Sequence, residues 1–521
     1  MRQFFKTHLH IIISVFAFLG LFATIIQSNG SKGLPNIFVF PSNIIWPRNN
    51  NNNNNNNNSN IIDYYGGIIK NNNDKINGTS NSLSSIYDPL AFSLAIIHNS
   101  STLSKSEEKK QRALKRIRES INEILRWRKK EDEEVETIEV ELAKARVLIK
   151  EAFQNSRSNT SNISNLGHVD YVPHGKIYKN AFAFHRSYLL MEKLFKIYVY
   201  EEGEAPLFHY GVCKNIYSME GIFINTMEQN TQFKTNNPKK AHVFFLPFSV
   251  VMILEHLFDP IIRDKAVLER TIVDYVNVIS HKYPFWNRSL GLDHFMLSCH
   301  DWGPRATWYH PLLYFHSIRA LCNANTSENF NPRKDVPIPE INLVTGQTTT
   351  LIHGSPPSER TTLGFFAGHM HGHIRPALLN HWKSKDDDLK IYEELPKNIS
   401  YRDMMSRSKY CICPSGFEVA SPRIVEAIYA GCVPVLISQN YILPYSDVLD
   451  WDEFSIRVSL SDVPNLKKIL MDIPYERYLK MQTGVTQVQR HFVINNPPKK
   501  YDVFHMTIHS IWLRRLNVRF S

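Results

Sequence analysis

The sequence predicts an α/β protein with parallel sheets in two domains, set behind an N-terminal membrane anchor and a stem. Three observations predict it. Short apolar, β-prone runs alternate with amphipathic segments through the C-terminal part of the chain, as strands joined by crossover helices do. At 521 residues the chain exceeds what one core organises, so two globular units plus extensions are expected. Residues 410–437 read as strand, loop, short helix and buried strand. In that stretch Pro414 stops the first strand, Ser421 suits a helix N-cap and Pro422 suits the first helical position. Gly431 falls just past the helix end, where a left-handed residue is often needed. Such a unit places its first loop at the carboxyl end of a parallel strand, where α/β folds bind ligands.

Arg423 and Glu426 lie three apart on one face of this helix. A guanidinium near a helix N-terminus suits a diphosphate, and a carboxylate one turn further in suits the two hydroxyls of a ribose. An ion pair on the helix surface has the same spacing, so spacing alone leaves both readings open.

Taken in order, residues 1–8 carry Arg2 and Lys6 and form a cytosolic tail. Residues 9–26 are an apolar run broken only by His10, Ser14, Gly20 and Thr24, just long enough to span a thin bilayer as a signal anchor. A cleaved signal peptide is the rival, but Ile25-Ile26-Gln27-Ser28 is a poor small-residue cleavage site. Residues 27–103 are an Asn/Ser-rich linker containing an unbroken asparagine run at 49–58. Residues 104–153 form a helical stem. Leu114, Ile117, Ile121 and Ile124 keep a 3-4-3 spacing that returns in phase as Val135, Ile138, Leu142 and Ala145, followed by Ile149. Arg128 and Glu131 interrupt that seam, so a weak coiled coil and a helix packed on its own catalytic region both fit. Residues 154–191 are a second linker. Residues 192–345 hold predicted strands at 195–200, 241–248 and 295–298, and Pro332, Pro337 and Pro339 mark an extended crossing segment. Residues 346–521 hold strands at 362–367, 389–392, 410–413 and 433–437 and end in a helix over 503–516.

The formal net charge is +11, but Lys and Arg are dispersed and no nucleic-acid motif occurs, so nucleic acid is excluded as a partner. No strand runs into Gly-X-Gly-X-X-Gly, which disfavours a dinucleotide-dependent epimerase. Sequons at Asn29, Asn77, Asn99, Asn159, Asn162, Asn287, Asn325 and Asn398 agree with a lumenal chain. Cys213, Cys299, Cys322, Cys411, Cys413 and Cys432 are expected to pair in part, with connectivity open.

Several separate motifs, in order, resemble the exostosin-like glycosyltransferases (glycosyltransferase family 47), the plant cell-wall branch most closely. They are Phe195-Lys196-Ile197-Tyr198-Val199-Tyr200, His242-Val243-Phe244-Phe245-Leu246-Pro247-Phe248, Asp293-His294-Phe295, Cys299-His300-Asp301-Trp302-Gly303-Pro304, Phe365-Phe366-Ala367-Gly368 and the run from Ser421 to Ile437. The resemblance implies a GT-B fold, two Rossmann-like domains facing a cleft. Residues 192–345 would be the acceptor side and 346–521 the nucleotide-sugar side, with the last helix returning to the first domain. It implies inverting transfer from a UDP-sugar to a cell-wall glycan such as pectin or hemicellulose, in the Golgi lumen, with no cofactor or obligatory metal. Xylose, arabinose, galactose and glucuronic acid donors all occur among relatives. A catalytically weak glycan-binding or scaffold partner of another transferase is the alternative, and the stem would supply any homo- or hetero-oligomer.

The resemblance also carries residue roles. Gly368 and Arg375 would approach the donor diphosphate, though relatives often have an arginine near His369 that this chain lacks. Gly416, Glu418, Ser421, Arg423 and Glu426 would complete the donor side, Glu426 on the ribose. Inverting transfer needs a base, and His300 or Asp301 follows a predicted strand at the cleft, with Trp302 placed to stack on an acceptor sugar. His209 and Glu220 are outside candidates. The alternating His369, His371 and His373 lack a matching carboxylate, Asp386-Asp387-Asp388 reads as a solvated turn and Asp450-Trp451-Asp452 follows a predicted helix end, so no metal site is expected.

Overall fold

A computed structural model describes residues 135–155 and 171–519. The anchor at 9–26, the linker at 27–103, the first half of the stem seam and Asn29, Asn77, Asn99, Asn159 and Asn162 lie outside the described residues. The described chain contains two five-stranded sheets, both wholly parallel.

The first sheet runs β1 (Ile197–Val199), β2 (Val243–Phe245), β3 (His294–Ser298), β4 (Ile318–Leu321) and β5 (Val336–Pro337), in sequence order. Its strands are buried on both faces, as parallel strands under helices must be. Side-chain alternation divides them between two cores. Ile197, Val199, Val243, Phe245, Phe295 and Leu297 enter one, while Tyr198, Phe244 and Met296 enter the other. The second sheet has the order β10-β9-β8-β6-β7, from β6 (Thr362–Ala367), β7 (Leu389–Tyr392), β8 (Ser408–Pro414), β9 (Val433–Ile437) and β10 (Ile456–Arg457). The expected strands at 362–367, 389–392 and 433–437 are reproduced to the residue, and the strand at 410–413 extends to 408–414.

Helix α1, described over residues 135–155, corrects the coiled-coil reading. Leu142, Ala145 and Ile149 are buried in the main core and Ile138 packs against it, so this half of the seam is already covered. The Arg146 guanidinium donates from Nε to the Leu516 carbonyl at 2.7 Å and from Nη2 to that of Val518 at 2.8 Å. The linker at 154–191 is also corrected. Ile177 and Tyr178 are buried, and residues 181–191 belong to helix α2 (Ala181–Leu194), whose Tyr188 ring stacks on Tyr501 at 3.8 Å. Aromatic area outweighs the polar composition that made this stretch read as linker.

Among the described residues, α3 (Ser218–Gln229), α4 (Val250–Leu257), α5 (Ala266–Lys282), α6 (Pro284–Ser289), α7 (Gly303–Ala306), α8 (Pro311–Phe315), α9 (Ile374–Trp382), α10 (Tyr401–Arg407), α11 (Arg423–Tyr429), α12 (Leu466–Met471) and α13 (Tyr475–Phe492) stand between α2 and the last helix, α14 (Val503–Asn517). Helix α14 packs on β4, β5 and α2, so the final stretch of the segment assigned to the second domain lies on the first sheet. Its Arg514 is 2% exposed, donating from Nε to the Asp335 carbonyl and from Nη2 to the Asp447 carboxylate, each at 2.9 Å.

Disulfides join Cys299 to Cys322 and Cys411 to Cys432, while Cys213 and Cys413 are free. Both bridges lie beside strands that lead to the cleft. Asn287 and Asn398 are exposed, but Asn325 is 7% exposed and its side-chain oxygen caps the Ser327 amide.

The docked stem helix makes one prediction. Leu142→Ala removes a fully buried side chain and is expected to destabilise the chain by about 2–5 kcal/mol. Urea denaturation of the two proteins measures it, and an unchanged midpoint would show that α1 is undocked in solution.

Candidate active site

Because every strand in each sheet is parallel, all carboxyl ends of a sheet share one edge, and loops leaving those ends gather there. The site residues of the first sheet follow β3 (His300, Asp301, Trp302), β4 (Asn323, Glu328) and β5 (Glu340, Asn342). Those of the second follow β6 (Gly368, Arg375) and β8 (Ser415, Gly416, Glu418), with Arg423 and Glu426 on α11.

The two sets meet. The Asn323 amide donates to a Glu418 carboxylate oxygen at 2.6 Å, to Glu328 at 3.1 Å and to the Asp301 carbonyl at 3.3 Å. The Asn342 amide donates to Glu426 Oε1 at 3.3 Å. Glu426 Oε2 accepts from the Tyr401 hydroxyl at 2.9 Å. Arg423 therefore does not pair with Glu426. It donates from Nη2 and Nε to the Ala367 carbonyl at 3.1 and 3.3 Å, with its guanidinium over the Phe366 ring. A side chain at Gly368 would clash, since an added Cβ would stand 2.3 Å from Arg423 Nη2. Gly372 has a φ of +64°, and an added Cβ there would meet the Gly416 carbonyl at 2.0 Å, so the loops after β6 and β8 touch backbone to backbone.

Arg375 is 9% exposed. Its Nη1 reaches the His369 carbonyl only at 3.5 Å, and its buried Nε has no partner among the described residues. Burial, and then Arg423 beside it, pull its pKa down to about 10, so it stays charged. A buried cation with an unfilled donor is a receptor for an anion. Ser421 corrects the expected cap: α11 starts at Arg423 with Pro422 at its N-cap, and the buried Ser421 hydroxyl is also unpartnered.

Opposite stand carboxyls that burial makes harder to ionise. Burial raises the pKa of Asp301, the Tyr217 hydroxyl opposing it, and burial followed by Asp301 raises that of Glu328. Glu418 is pushed up to about 7 by burial, then by Glu328 and Asp301. Glu340 is raised well above the carboxylate range, by burial first and then by Asp301 and Glu426, against Arg423 and Arg375. His300 is held neutral, with burial lowering its pKa to about 4. Its Nδ1 accepts from the Trp302 amide at 3.0 Å and its ring lies 4.8 Å from that of Tyr217. Trp302 is half-buried, with Lys265 Nζ 4.3 Å from the ring centre and Phe258 against its edge.

The outside candidates are structural. Glu220 accepts from the Ser249 and Ser298 hydroxyls at 2.6 and 2.8 Å and from the Val251 and Cys299 amides at 3.0 Å, tying α4 to the end of β3. His209 pairs with Glu228 at 2.7 Å. Asp386 and Asp388 pair with Lys467, and Asp450 caps the Asp452 amide. Among the described residues no group of three His, Cys, Asp or Glu side chains is placed to hold a metal ion. Sequence reasoning missed Glu340, Asn323, Asn342, Tyr217 and Tyr401. Glu340 did carry a signal, a lone charge in the apolar run Val336-Pro337-Ile338-Pro339-Glu340-Ile341.

Glu418 supplies a pH prediction. Its folded pKa of about 7 stands above the ordinary glutamate value of 4.5, so its contribution to stability is complete below pH 4.5 and is lost as pH rises through 7. Glu418→Gln keeps an acceptor for Asn323 and abolishes that loss. The melting temperature of Glu418→Gln relative to the parent is expected to rise between pH 4.5 and 7, and a pH-independent difference would count against the buried carboxyl cluster.

The exostosin GT47 domain matches residues 191–473, which include both sheets and every cleft residue named above. A probable glycosyltransferase of Arabidopsis thaliana is 66% identical over 383 residues, covering 73% of this chain and 81% of that protein. A probable glucuronosyltransferase of Oryza sativa subsp. japonica is 28% identical, covering 57% and 72%. A probable beta-1,4-xylosyltransferase of Arabidopsis thaliana is 26% identical, covering 56% and 74%.

Proposed function

The chain belongs to the exostosin GT47 family of glycosyltransferases, and we propose on that premise that it moves a sugar, with inversion, from a UDP-sugar to a hydroxyl of a plant cell-wall polysaccharide, pectin or hemicellulose. The observation that carries this reading is the unfilled Arg375 guanidinium beside Arg423, at the edge where the strands of the second sheet end. Two guanidiniums there suit the diphosphate of the donor and the charge that grows on it as the glycosidic bond breaks. Glu426 faces the ribose, whose hydroxyls replace or share the Asn342 and Tyr401 hydrogen bonds. The glucuronosyl and xylosyl activities in the names of the two distant relatives support a hexosyl or pentosyl donor and a wall-glycan acceptor. The acceptor lies on the first-sheet side, against the face of Trp302 opposite Lys265.

In this reading residues 9–26 anchor the chain in the Golgi membrane as a single-pass type II protein with the catalytic region in the lumen. The two arginines supply the positive charge at the diphosphate, and the reaction takes no cofactor beyond the donor.

Arg423 gives the test. Arg423→Ala removes charge-assisted hydrogen bonds worth about 1.5–3 kcal/mol, so UDP affinity should fall about tenfold or more. Arg423→Lys should recover little, because an ammonium cannot reproduce the planar fork. Calorimetry with UDP, beside a melting curve for each variant, reads this out. Unchanged affinity in both variants, or a loss explained entirely by unfolding, would refute the donor site.

A further inference from the structure

Glu340 has no part in the donor site, yet it lies where the two sets of loops meet. It follows Pro339 at the carboxyl end of the first sheet, on the segment leaving β5. It is 6% exposed, and among the described residues no donor hydrogen-bonds its carboxyl group. The ionisable groups that act on it electrostatically come from several elements. They are Asp301 after β3, Tyr217 before α3, Arg375 on α9, Arg423 and Glu426 on α11, and Tyr441 after β9.

We propose that Glu340 is the general base that takes the proton from the attacking acceptor hydroxyl. The inference rests on the glycosyl-transfer reading above. In the step, the acceptor oxygen bonds to the anomeric carbon and the bond from that carbon to the diphosphate oxygen breaks. That electron pair leaves on the UDP, which faces Arg375 and Arg423, and the hydroxyl proton passes to the Glu340 carboxylate.

The other carboxylates in the cleft are otherwise engaged. Glu418 and Glu328 are held by Asn323, and Glu426 by Tyr401 and Asn342. Asp301 is faced by the Tyr217 hydroxyl and is more exposed, and His300 accepts from the Trp302 amide. Among the described residues no hydrogen bond fills the lone pairs of Glu340, and it interacts electrostatically with both the anion-binding arginines and Asp301 on the acceptor side. Burial also makes its ionised form a stronger base than a solvated carboxylate. A group with a raised pKa must ionise before it can act, so kcat/KM should climb with pH through that value.

The test uses the full-length chain with a UDP-sugar that the parent transfers. Glu340→Gln should lower kcat by about 10²- to 10⁴-fold. UDP affinity should be kept, and the melting temperature should be equal or higher, because an uncompensated buried acid is gone. Glu340→Asp should retain part of the activity with its acid limb displaced, and it serves as the readout if Glu340→Gln does not fold. Asp301→Asn removes a charge that raises Glu340, so it should keep transfer and move the acid limb to lower pH. Transfer by Glu340→Gln at the parent rate, or an acid limb unmoved in Glu340→Asp, overturns this inference alone. A parent chain that binds UDP and releases it from no UDP-sugar overturns the transferase reading and this inference with it.

Discussion

The relation between the two sheets depends on one buried guanidinium. Arg514 holds the Asp335 carbonyl, just ahead of β5, and the Asp447 carboxylate, after β9. A charge 2% exposed is tolerable only with partners on both sides, so removing either side leaves it desolvated and unpaired. Helix α14, which carries Arg514, presents buried residues around nearly its whole circumference, from Val503 to Leu516. A helix buried on all sides must be enclosed, and enclosing this one draws β4, β5, α2 and α13 around it. One strand at that clamp, β5, leads directly into Glu340 and Asn342 of the cleft.

The chemistry follows from the parallel arrangement. Ten strands pointing their carboxyl ends toward the loops leave no position on those edges without a polar backbone group nearby, and the side chains there are charged. Two arginines lie on one side and a group of hard-to-ionise carboxyls on the other. This division has a physical cause. Arg375 and Arg423 lie against glycines that admit their bulk, at Gly416 and Gly368, whereas the Glu328 and Glu418 carboxylates share one amide, that of Asn323, which also holds the Asp301 main-chain carbonyl. Separated signs of this kind suit a reaction in which an anion departs on one side and a proton is taken up on the other.

Much of the second sheet was legible because its strands are short apolar runs closed by Pro or Gly. The Gly431 turn was legible too, with its observed φ of +61°. Local signals misled where tertiary contacts outweigh them. Ser421 carries the chemistry of a cap but is buried with its hydroxyl unused, and the helix starts at Arg423. Residues 154–191 read as linker, yet within them Tyr178, Tyr188 and Phe184 form an aromatic core with Tyr501, His491 and His509 from far along the chain. No window of sequence reveals such pairings. The same holds for Arg423 and Glu426, which share a helix face as expected but find their partners, Ala367, Tyr401 and Asn342, on other elements. Glu340 was hidden for a different reason, because the prolines around it marked the segment as a connection.

The two asparagines that cross the cleft have a kinetic meaning as well as a structural one. Asn323 holds Glu418, and Asn342 holds the carboxylate proposed to receive the ribose. Each is an amide from the first sheet on a carboxylate from the second, so together they latch the empty enzyme. A donor entering the cleft competes with the Asn342 latch for the same oxygen, and the affinity it shows is its intrinsic affinity reduced by the fraction of molecules latched. The 3.3 Å Asn342 contact is the weaker of the two and the 2.6 Å Asn323 contact the stronger. The cleft would then open in order, the nucleotide side first, with the acceptor side still held when the donor arrives.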